Sequence, residues 1–170
     1  LKNIGRGWVL GETLLAGIGQ GYFQTTPIQL CLMAAQLANG GYKIEPKIIY
    51  NEQTLQTSKD EQEEKFKKLY RNQENVKFVL DAQFGATNEP MGTSYRSRHS
   101  EPEYVYAGKT GTSQIRRITA EERELKLKNK DLPYEKRDHA LFIAFAPYKK
   151  PRYAISVLIE HGGTGSSVAA

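Results

Sequence analysis

The chain has 170 residues, of which 39% are hydrophobic and 25% charged, and its formal net charge is +5. That balance fits one domain with a packed core and a well-solvated surface, and it excludes a disordered chain. Cys31 is the lone cysteine, so an intrachain disulfide is excluded, and no run of about 18 apolar residues occurs that could span a membrane. Because basic and acidic residues alternate, as in "EERELKLKNKDLPYEKRD", the excess charge favours a solubility surface over a nucleic-acid partner.

The first part of the chain is predicted to be irregular and then helical. Six glycines interrupt residues 1–25, and glycines in that number favour loops lying over a core. Thr26 and Pro27 are typical of an N-cap and a first helical position, so a helix is predicted over 28–38. That segment is apolar almost all round, which predicts burial inside a larger protein, and Asn39-Gly40-Gly41 ends it.

The middle of the chain carries weaker signals. Residues 42–50, "YKIEPKIIY", have β propensity, and the capping-box spacing from Ser58 to Glu61 predicts a charged helix over 59–70. A further helix is predicted over 74–84 from the shared face of Val76, Val79, Leu80 and Phe84, followed by a loop over 85–103.

The last third is predicted to be β-rich. Residues 103–115 form a candidate strand, and a charged segment over 116–138 separates it from "HALFIAFA", which suits a strand buried on both faces. "RYAISVLIE" alternates and forms an antiparallel hairpin with it through "PYKKP". Gly162-Gly163 ends the last strand and could lead into a helix.

The stretch "VYAGKTGTSQ", residues 105–114, allows two interpretations. A phosphate-binding loop requires a glycine five residues before its Gly-Lys-Thr, but Glu103 stands there and would repel phosphate. The segment that follows also begins no apolar helix whose amino end could bind phosphate. The second interpretation is a catalytic strand edge with a Lys-Thr-Gly motif, which fits better.

The residue types of that motif suit a substrate that ends in a carboxylate. Lys109 would supply a fixed cation, and Thr110 and Thr112 would supply hydroxyl donors, while Gly111 would let a substrate backbone lie against the strand. The amide of Thr112 could donate to a tetrahedral oxyanion. Strict strand alternation places Lys109 on the opposite face from the two threonines.

Two further residues extend this strand. Ser113 and Gln114 are substrate-binding candidates, with a purely structural role equally open. His99, His139 and His161 are too scattered, and Cys31 too embedded in an apolar helix, to predict a metal site. No cofactor is expected.

Several segments together resemble the class B penicillin-binding proteins. "AGIGQGYFQTTPIQLCLMAAQLANGG" resembles their Gly-Gln-Gly loop and the helix that follows it, and "NEPMGTSYR" their Gly-Thr turn. "AGKTGTSQ" is similar to their Lys-Thr-Gly strand, and "HALFIAFAPYKKPRYAISVLIEHGGTG" to the next two strands. The "APYKKP" turn and the "EHGGTG" ending are most similar to the elongation-type subfamily, penicillin-binding protein 2.

The resemblance implies an α+β fold, with helices packed on an antiparallel sheet of five strands, of which this chain would hold the last three as the carboxyl-terminal part of a transpeptidase domain. It implies a serine D,D-transpeptidase that cross-links peptidoglycan stem peptides ending in D-Ala-D-Ala and is acylated by β-lactams. The family's nucleophile lies in Ser-x-x-Lys and a second motif is Ser-x-Asn. Neither occurs here, so the chain is expected to be an incomplete fragment that is inactive alone.

The resemblance also implies where and with what the full-length protein works: anchored in the bacterial inner membrane, with this domain in the periplasm, beside membrane proteins of the elongation machinery. The alternative is a non-enzymatic β-lactam sensor or scaffold of the same fold. A basic nucleic-acid-binding module is disfavoured because no recognition motif is present. Since the strand at 152–160 would lack a neighbour, we expect pairing of two chains through its exposed edge.

Overall fold

A three-stranded antiparallel sheet organises the chain. The computed structural model describes residues 5–49, 67–116, 118–125 and 127–170. Strands β1 (Ala107–Ser113), β2 (His139–Ala146) and β3 (Tyr153–Ile159) are neighbours in chain order. The predicted hairpin of β2 and β3 is confirmed, as is the α+β class. β1 is shorter than the predicted 103–115, because residues Pro102–Tyr104 form a turn of 3₁₀ helix before it.

The core lies on one face of this sheet. Ala140, Phe142 and Ala144 alternate along β2, point to that face and are buried. Their partners in β3 are Ile159, Val157 and Ile155, so the alternation predicted for "RYAISVLIE" directs its apolar residues to the same face. Leu141 and Ile143, on the other face of β2, are half-buried, which agrees with a strand covered on both sides.

Helix α1 spans Leu10–Gly17, so the prediction that residues 1–25 are wholly irregular was wrong. The helix forms because it is capped locally. The Glu12 carboxylate accepts a hydrogen bond from the backbone N–H of Val9 (2.7 Å) and forms an ion pair with Arg6 (3.0 Å). A carboxylate in the first turn satisfies an otherwise unpaired backbone amide, and its negative charge is stabilised by the positive end of the helix dipole.

Helix α2 (Pro27–Ala38) is confirmed as predicted. The Thr26 hydroxyl accepts from the backbone N–H of Gln29, and the Gln29 side chain accepts from the N–H of Thr26 (2.8 Å), closing a capping box. The helix packs against β3 and β2 and buries Ala34 and Leu37.

Helix α3 spans Gln73–Asn88 and runs beside β1. The predicted 74–84 helix is confirmed, but it continues past Gly85 into the predicted loop. It does so because its last turn is held by the strand: the fully buried Thr87 accepts from the N–H of Gly108 (3.1 Å), and Asn88 donates to the carbonyl of Tyr106 (2.9 Å). Such tertiary contacts outweigh the cost of glycine in a helix.

Residues 42–49 do not form the strand suggested by their composition. Among the described residues there, only an isolated bridge joins Tyr42 to Lys68. The backbone of Lys67 and Leu69 bonds to that of Lys43 and Gly41, so residues 67–69 are extended chain, which contradicts the end of the helix predicted over 59–70. The rest of that predicted helix, 59–66, and residue 50 lie outside the described residues.

The connection between β1 and β2 contains helix α4 (Ala120–Glu124) and two turns of 3₁₀ helix. Arg116 donates twice to Glu122 (2.8 and 2.7 Å) and once to the carbonyl of Lys136 (3.2 Å). The hydrogen bonds from Arg116, with one from the N–H of Thr119, hold the pKa of the Glu122 carboxyl below its ordinary value. One guanidinium thus ties both ends of this charged segment together.

Helix α5 (Gly165–Val168) follows β3, as the Gly162-Gly163 signal suggested. It rests on the backbone of β1 and β2: a Cβ at Gly165 would collide with the carbonyl oxygens of Leu141 and Gly111. Only glycine allows this approach. Ala169, just after the helix, completes the buried core.

The link between α3 and β1 gives a stability prediction. Thr87→Val keeps the shape of the side chain but leaves the buried N–H of Gly108 without its acceptor, which costs about 1–3 kcal/mol. Urea unfolding followed by circular dichroism should show that loss. Thr25→Val, an exposed threonine before α2, is the matched control and should leave the midpoint in place. Equal stability of the two variants would contradict this role for Thr87.

Candidate functional site

The Lys-Thr-Gly segment lies in a regular strand, not in a loop. Residues Lys109 to Thr112 pair in unbroken register with Ile143 to Ala140 of β2. A phosphate-binding loop would need these amides to curl around an anion, whereas here they alternate along the sheet. The geometry therefore excludes the nucleotide-binding interpretation.

The open edge of β1 presents backbone groups to solvent. The N–H and carbonyl of Gly108 both face Thr87, away from β2 (3.1 and 3.4 Å). Backbone groups in an antiparallel strand alternate in direction, so the N–H groups of Thr110 and Thr112 face the same outer side. The amide of Thr112, which the sequence nominates as an oxyanion donor, thus lies on the free edge.

Thr110 and Thr112 share one face of the sheet, and Lys109 and Gly111 lie on the other, as strict alternation requires. No bulge relaxes this arrangement. The Lys109 side chain reaches back over the edge instead, and its Nζ donates to the carbonyl of Thr110 (2.9 Å). Lys109 is exposed and its stem is long and flexible, so its ammonium group can lie at the strand edge next to Thr110.

A turn after α3 brings another hydroxyl to this edge. Ser94 holds the turn against the end of α3, because its backbone N–H and its hydroxyl both donate hydrogen bonds to the carbonyl of Ala86 (3.0 Å each). A Cβ at Gly92 would collide with that same carbonyl oxygen, so the turn needs glycine there. Thr93 then lies with its Oγ1 3.0 Å from the Oγ1 of Thr110.

The side chains at the far end of β1 meet the amino-terminal part of the chain. Ser113 is exposed opposite His139, and Gln114 accepts a hydrogen bond from Gln20 (3.3 Å). Gln20 stands between Gly19 and Gly21, whose φ values are 74° and 95°. These two glycines shape the loop that carries Gln20 to the site.

The structure thus gathers Lys109, Thr110 and Thr112 at one strand edge. It adds Thr93 and Gln20, which the sequence interpretation had not assigned to the site. Both stand in motifs that were visible in the sequence, the Gly-Thr turn and the Gly-Gln-Gly loop. Their proximity to β1 could not be read from spacing, since 17 residues separate Thr93 from Thr110 and 94 separate Gln20 from Gln114.

Tyr106, the residue just before β1, helps to fix the position of that strand. Its hydroxyl donates to the carbonyl of Ser97 (2.6 Å), and burial raises the pKa of this phenol. The group therefore stays a neutral donor and ties the start of β1 to the turn that carries Thr93.

The histidines and the cysteine serve local contacts. His139 Nδ1 accepts from the N–H of His161 (3.0 Å), His99 Nδ1 accepts from the N–H of Glu101 (3.1 Å), and Cys31 contacts the carbonyl of Ala154 (3.4 Å). Within residues 5–49, 67–116, 118–125 and 127–170, no group of His, Cys, Asp or Glu could hold a metal ion. In the same ranges, no helix is long and apolar enough to cross a membrane.

Comparison with known proteins gives consistent matches over nearly the whole chain. The sequence-family model described as the penicillin-binding protein transpeptidase domain matches residues 2–170. Peptidoglycan D,D-transpeptidase MrdA of Salmonella typhimurium is 34% identical over 176 residues, covering 97% of this chain and 26% of the relative. MrdA of Escherichia coli K12 is 31% identical over 173 residues, covering 98% and 26%. The chain spans about a quarter of the length of these curated relatives.

Solved structures agree. Penicillin-binding protein 2 of Pseudomonas aeruginosa, in complex with WCK 5153, superposes with a TM-score of 0.71 at 32% identity, covering 99% of this chain and 33% of that one. A complex between penicillin-binding protein 2 and MreC from Helicobacter pylori gives 0.73 at 30%, covering 96% and 26%. The predicted resemblance, including its elongation-type branch, is confirmed: the chain belongs to the penicillin-binding protein transpeptidase domain family.

Proposed function

We propose that the full-length protein is a serine D,D-transpeptidase that cross-links peptidoglycan, and that residues 1–170 are the carboxyl-terminal portion of its transpeptidase domain. The observation that carries this proposal is the open edge of β1, where Lys109, Thr110 and Thr112 come together. Family membership and the D,D-transpeptidase names of the relatives support it.

The chemistry divides between this chain and a nucleophile that its sequence does not contain. A serine oxygen bonds to the penultimate D-Ala carbonyl, the amide C–N bond breaks, and the terminal D-Ala leaves with the proton on its amine. An acceptor amine then attacks the ester, and the serine regains its proton. The role of this chain is to hold the substrate and the oxyanion while these bonds change.

Each site residue has a defined part in that role. The Lys109 ammonium and the hydroxyls of Thr110 and Thr112 bind the terminal carboxylate, and Thr93 orients the Thr110 hydroxyl through their contact. The free amide of Thr112 donates to the oxyanion, an interaction whose loss typically slows acyl transfer about 10²–10³-fold. Ser113 and Gln114 contact the substrate further along the strand.

We propose a cell-envelope setting for the full-length enzyme. Anchoring in the inner membrane with this domain in the periplasm suits an enzyme whose substrate is the cell wall. The Helicobacter pylori complex with MreC supports a partner in the elongation machinery for this protein too. β-Lactams, which imitate D-Ala-D-Ala, would acylate the same serine.

A non-enzymatic β-lactam sensor or scaffold is the second candidate, since it would use the same strand edge to bind the drug. It differs in what happens next: an enzyme passes the acyl group to an amine, and a sensor retains it. Turnover of a D-Ala-D-Ala peptide by the full-length protein therefore separates the two.

The chain of 170 residues should not react covalently with penicillin. None of its eight serines has lysine three positions later, so no activated nucleophile is available. Incubation with a fluorescent penicillin, followed by intact-mass measurement, is expected to show unmodified protein. Bovine serum albumin serves as the blank for non-specific acylation. A stable one-to-one adduct would mean that a nucleophile does exist within these residues.

In the full-length protein, Lys109→Gln should weaken reaction with substrates that carry a free carboxylate. Loss of a charge-assisted hydrogen bond predicts a fall of about 10–100-fold in the acylation rate. The matched control is the same substrate with its carboxylate amidated, which should react slowly and equally with the variant and the wild type. Equal sensitivity of both substrates to the variant would contradict a role in carboxylate binding.

We also propose that two copies of the 170-residue chain pair through β3. Among the described residues, no strand covers the outer edge of β3, where Tyr153 and Ile155 are 69% and 52% exposed. An antiparallel pair centred on Ser156 would place Arg152 opposite Glu160 of the second copy. Such opposite charges favour the register.

Sedimentation velocity should therefore show a concentration-dependent dimer of the isolated chain. Ile155→Lys places a charge near the centre of the edge, opposite the apolar Val157 of the second copy and diagonal to that copy's own introduced lysine, and should give a monomer. Lys150→Ala, in the turn before β3, is the control that should leave association unchanged. A wild-type mass that stays monomeric at all concentrations would refute the pairing.

A further inference from the structure

A cavity lies beside the carboxylate site, and Thr93 belongs to both. It has a volume of about 540 Å³ and separates the turn at 90–97 from helix α5. Thr93 and Arg96 contribute to one wall, and Ser166 and Ser167 form the other. Nothing in the roles assigned above uses this space.

The charge of the cavity favours an anion. Arg96 is exposed on its wall and has no ion-pair or hydrogen-bond partner among the residues that the structure describes. Arg98, two residues later, is occupied instead: its guanidinium lies 3.7 Å from the centre of the Tyr95 ring and donates to the Tyr95 carbonyl. None of the residues lining the cavity is acidic. A planar guanidinium with the Ser166 hydroxyl on the opposite wall suits a carboxylate.

The cavity is joined to the strand edge at two points. Thr93 lines it and also contacts Thr110, 3.0 Å away. On the other side, Gly165 rests on the backbone of Gly111, and Ser166 follows directly. A peptide that leaves the carboxylate site in this direction would therefore pass between Thr93 and α5.

Microscopic reversibility determines the side from which the acceptor peptide approaches the acyl-enzyme. The terminal D-Ala departs from the Thr110 and Thr112 side of the acyl bond, and the acceptor amine must attack from that same side. The acceptor's reacting residue then takes the place of the leaving D-Ala, and the rest of its peptide extends beyond the carboxylate site. The cavity is the space that this edge offers to it.

We propose that this cavity is the acceptor subsite of the transpeptidase, and that Arg96 binds a second carboxylate on the acceptor stem peptide. This inference rests on the proposed function. The ligand class is a peptide that carries both a free amine and free carboxylates, and the hydroxyls of Ser166 and Thr93 complete its polar contacts. Arg96 selects the acceptor and takes no part in forming the acyl-enzyme.

The test uses the full-length protein and measures two reactions separately. The first is acylation by fluorescent penicillin, which requires only the donor side of the site. The second is transfer from a D-Ala-D-Ala pentapeptide to the acceptor tripeptide L-Ala-γ-D-Glu-meso-diaminopimelate. For Arg96→Gln, we expect KM for the acceptor to rise about tenfold relative to any change in the acylation rate, as loss of one charge-assisted contact predicts.

Two controls sharpen the result. Arg98→Gln removes the same charge two residues away, outside the cavity lining, and should leave the acceptor KM within about twofold of wild type. The tripeptide with its carboxylates amidated should bind equally to wild type and Arg96→Gln. This second control shows that the lost contact is to a carboxylate.

Three outcomes would overturn the inference. An unchanged acceptor KM in Arg96→Gln would show that the cavity does not bind the acceptor. An equal fall in acylation and transfer would place Arg96 on the donor side instead. A wild-type protein that is not acylated by penicillin at all would overturn the proposed function, and the acceptor subsite with it.

Discussion

The hydrogen bonds between Thr87 and Gly108 are the constraint on which the site depends. They join the last turn of α3 to the first residues of β1, and they fix which backbone groups of that strand point away from β2. Shift the register by one residue, and the amides of Thr110 and Thr112 would turn inward to the sheet. The open edge that we assign to substrate binding would then be closed. A buried threonine remote from the chemistry thus determines where the chemistry can occur.

The same helix end also sets the second wall of the site. Ser94 bonds the carbonyl of Ala86, and Gly92 leaves room for that carbonyl, so the turn returns to β1 with Thr93 beside Thr110. One helix terminus therefore positions both the strand and the turn that faces it. The arrangement explains why a Gly-Thr turn accompanies a Lys-Thr-Gly strand in this chain. Gly92 lets the turn pack closely against the end of the helix, and Thr93 then contacts Thr110 of the strand.

Lys109 shows how an alternating strand can still hold its cation at the open edge, beside a residue whose side chain lies on the other face. Its position in the register places its side chain on the same face as Gly111, and its long stem lets the ammonium group reach the free edge, where it donates to the Thr110 carbonyl. A shorter cationic side chain could not reach. Because the edge is open, the lysine needs no distortion of the strand, and the sheet keeps its regular pairing.

The sequence by itself determined the local elements whose signals lie within a few residues. The sequence was sufficient to predict the capping box at Thr26, the alternation in β2 and β3, and the Lys-Thr-Gly motif. The order of the motifs along the chain identified the family. Local signals gave the wrong element where a distant partner decides it. Helix α3 continues through Gly85 because β1 holds its end, and residues 67–69 pair with residues 41–43 in place of a helix. Likewise only the tertiary structure brought Thr93, Gln20 and the Arg96 cavity to the strand edge. Contacts across 17 to 94 residues leave no periodicity in the chain, because they arise from the packing of elements and not from their individual propensities.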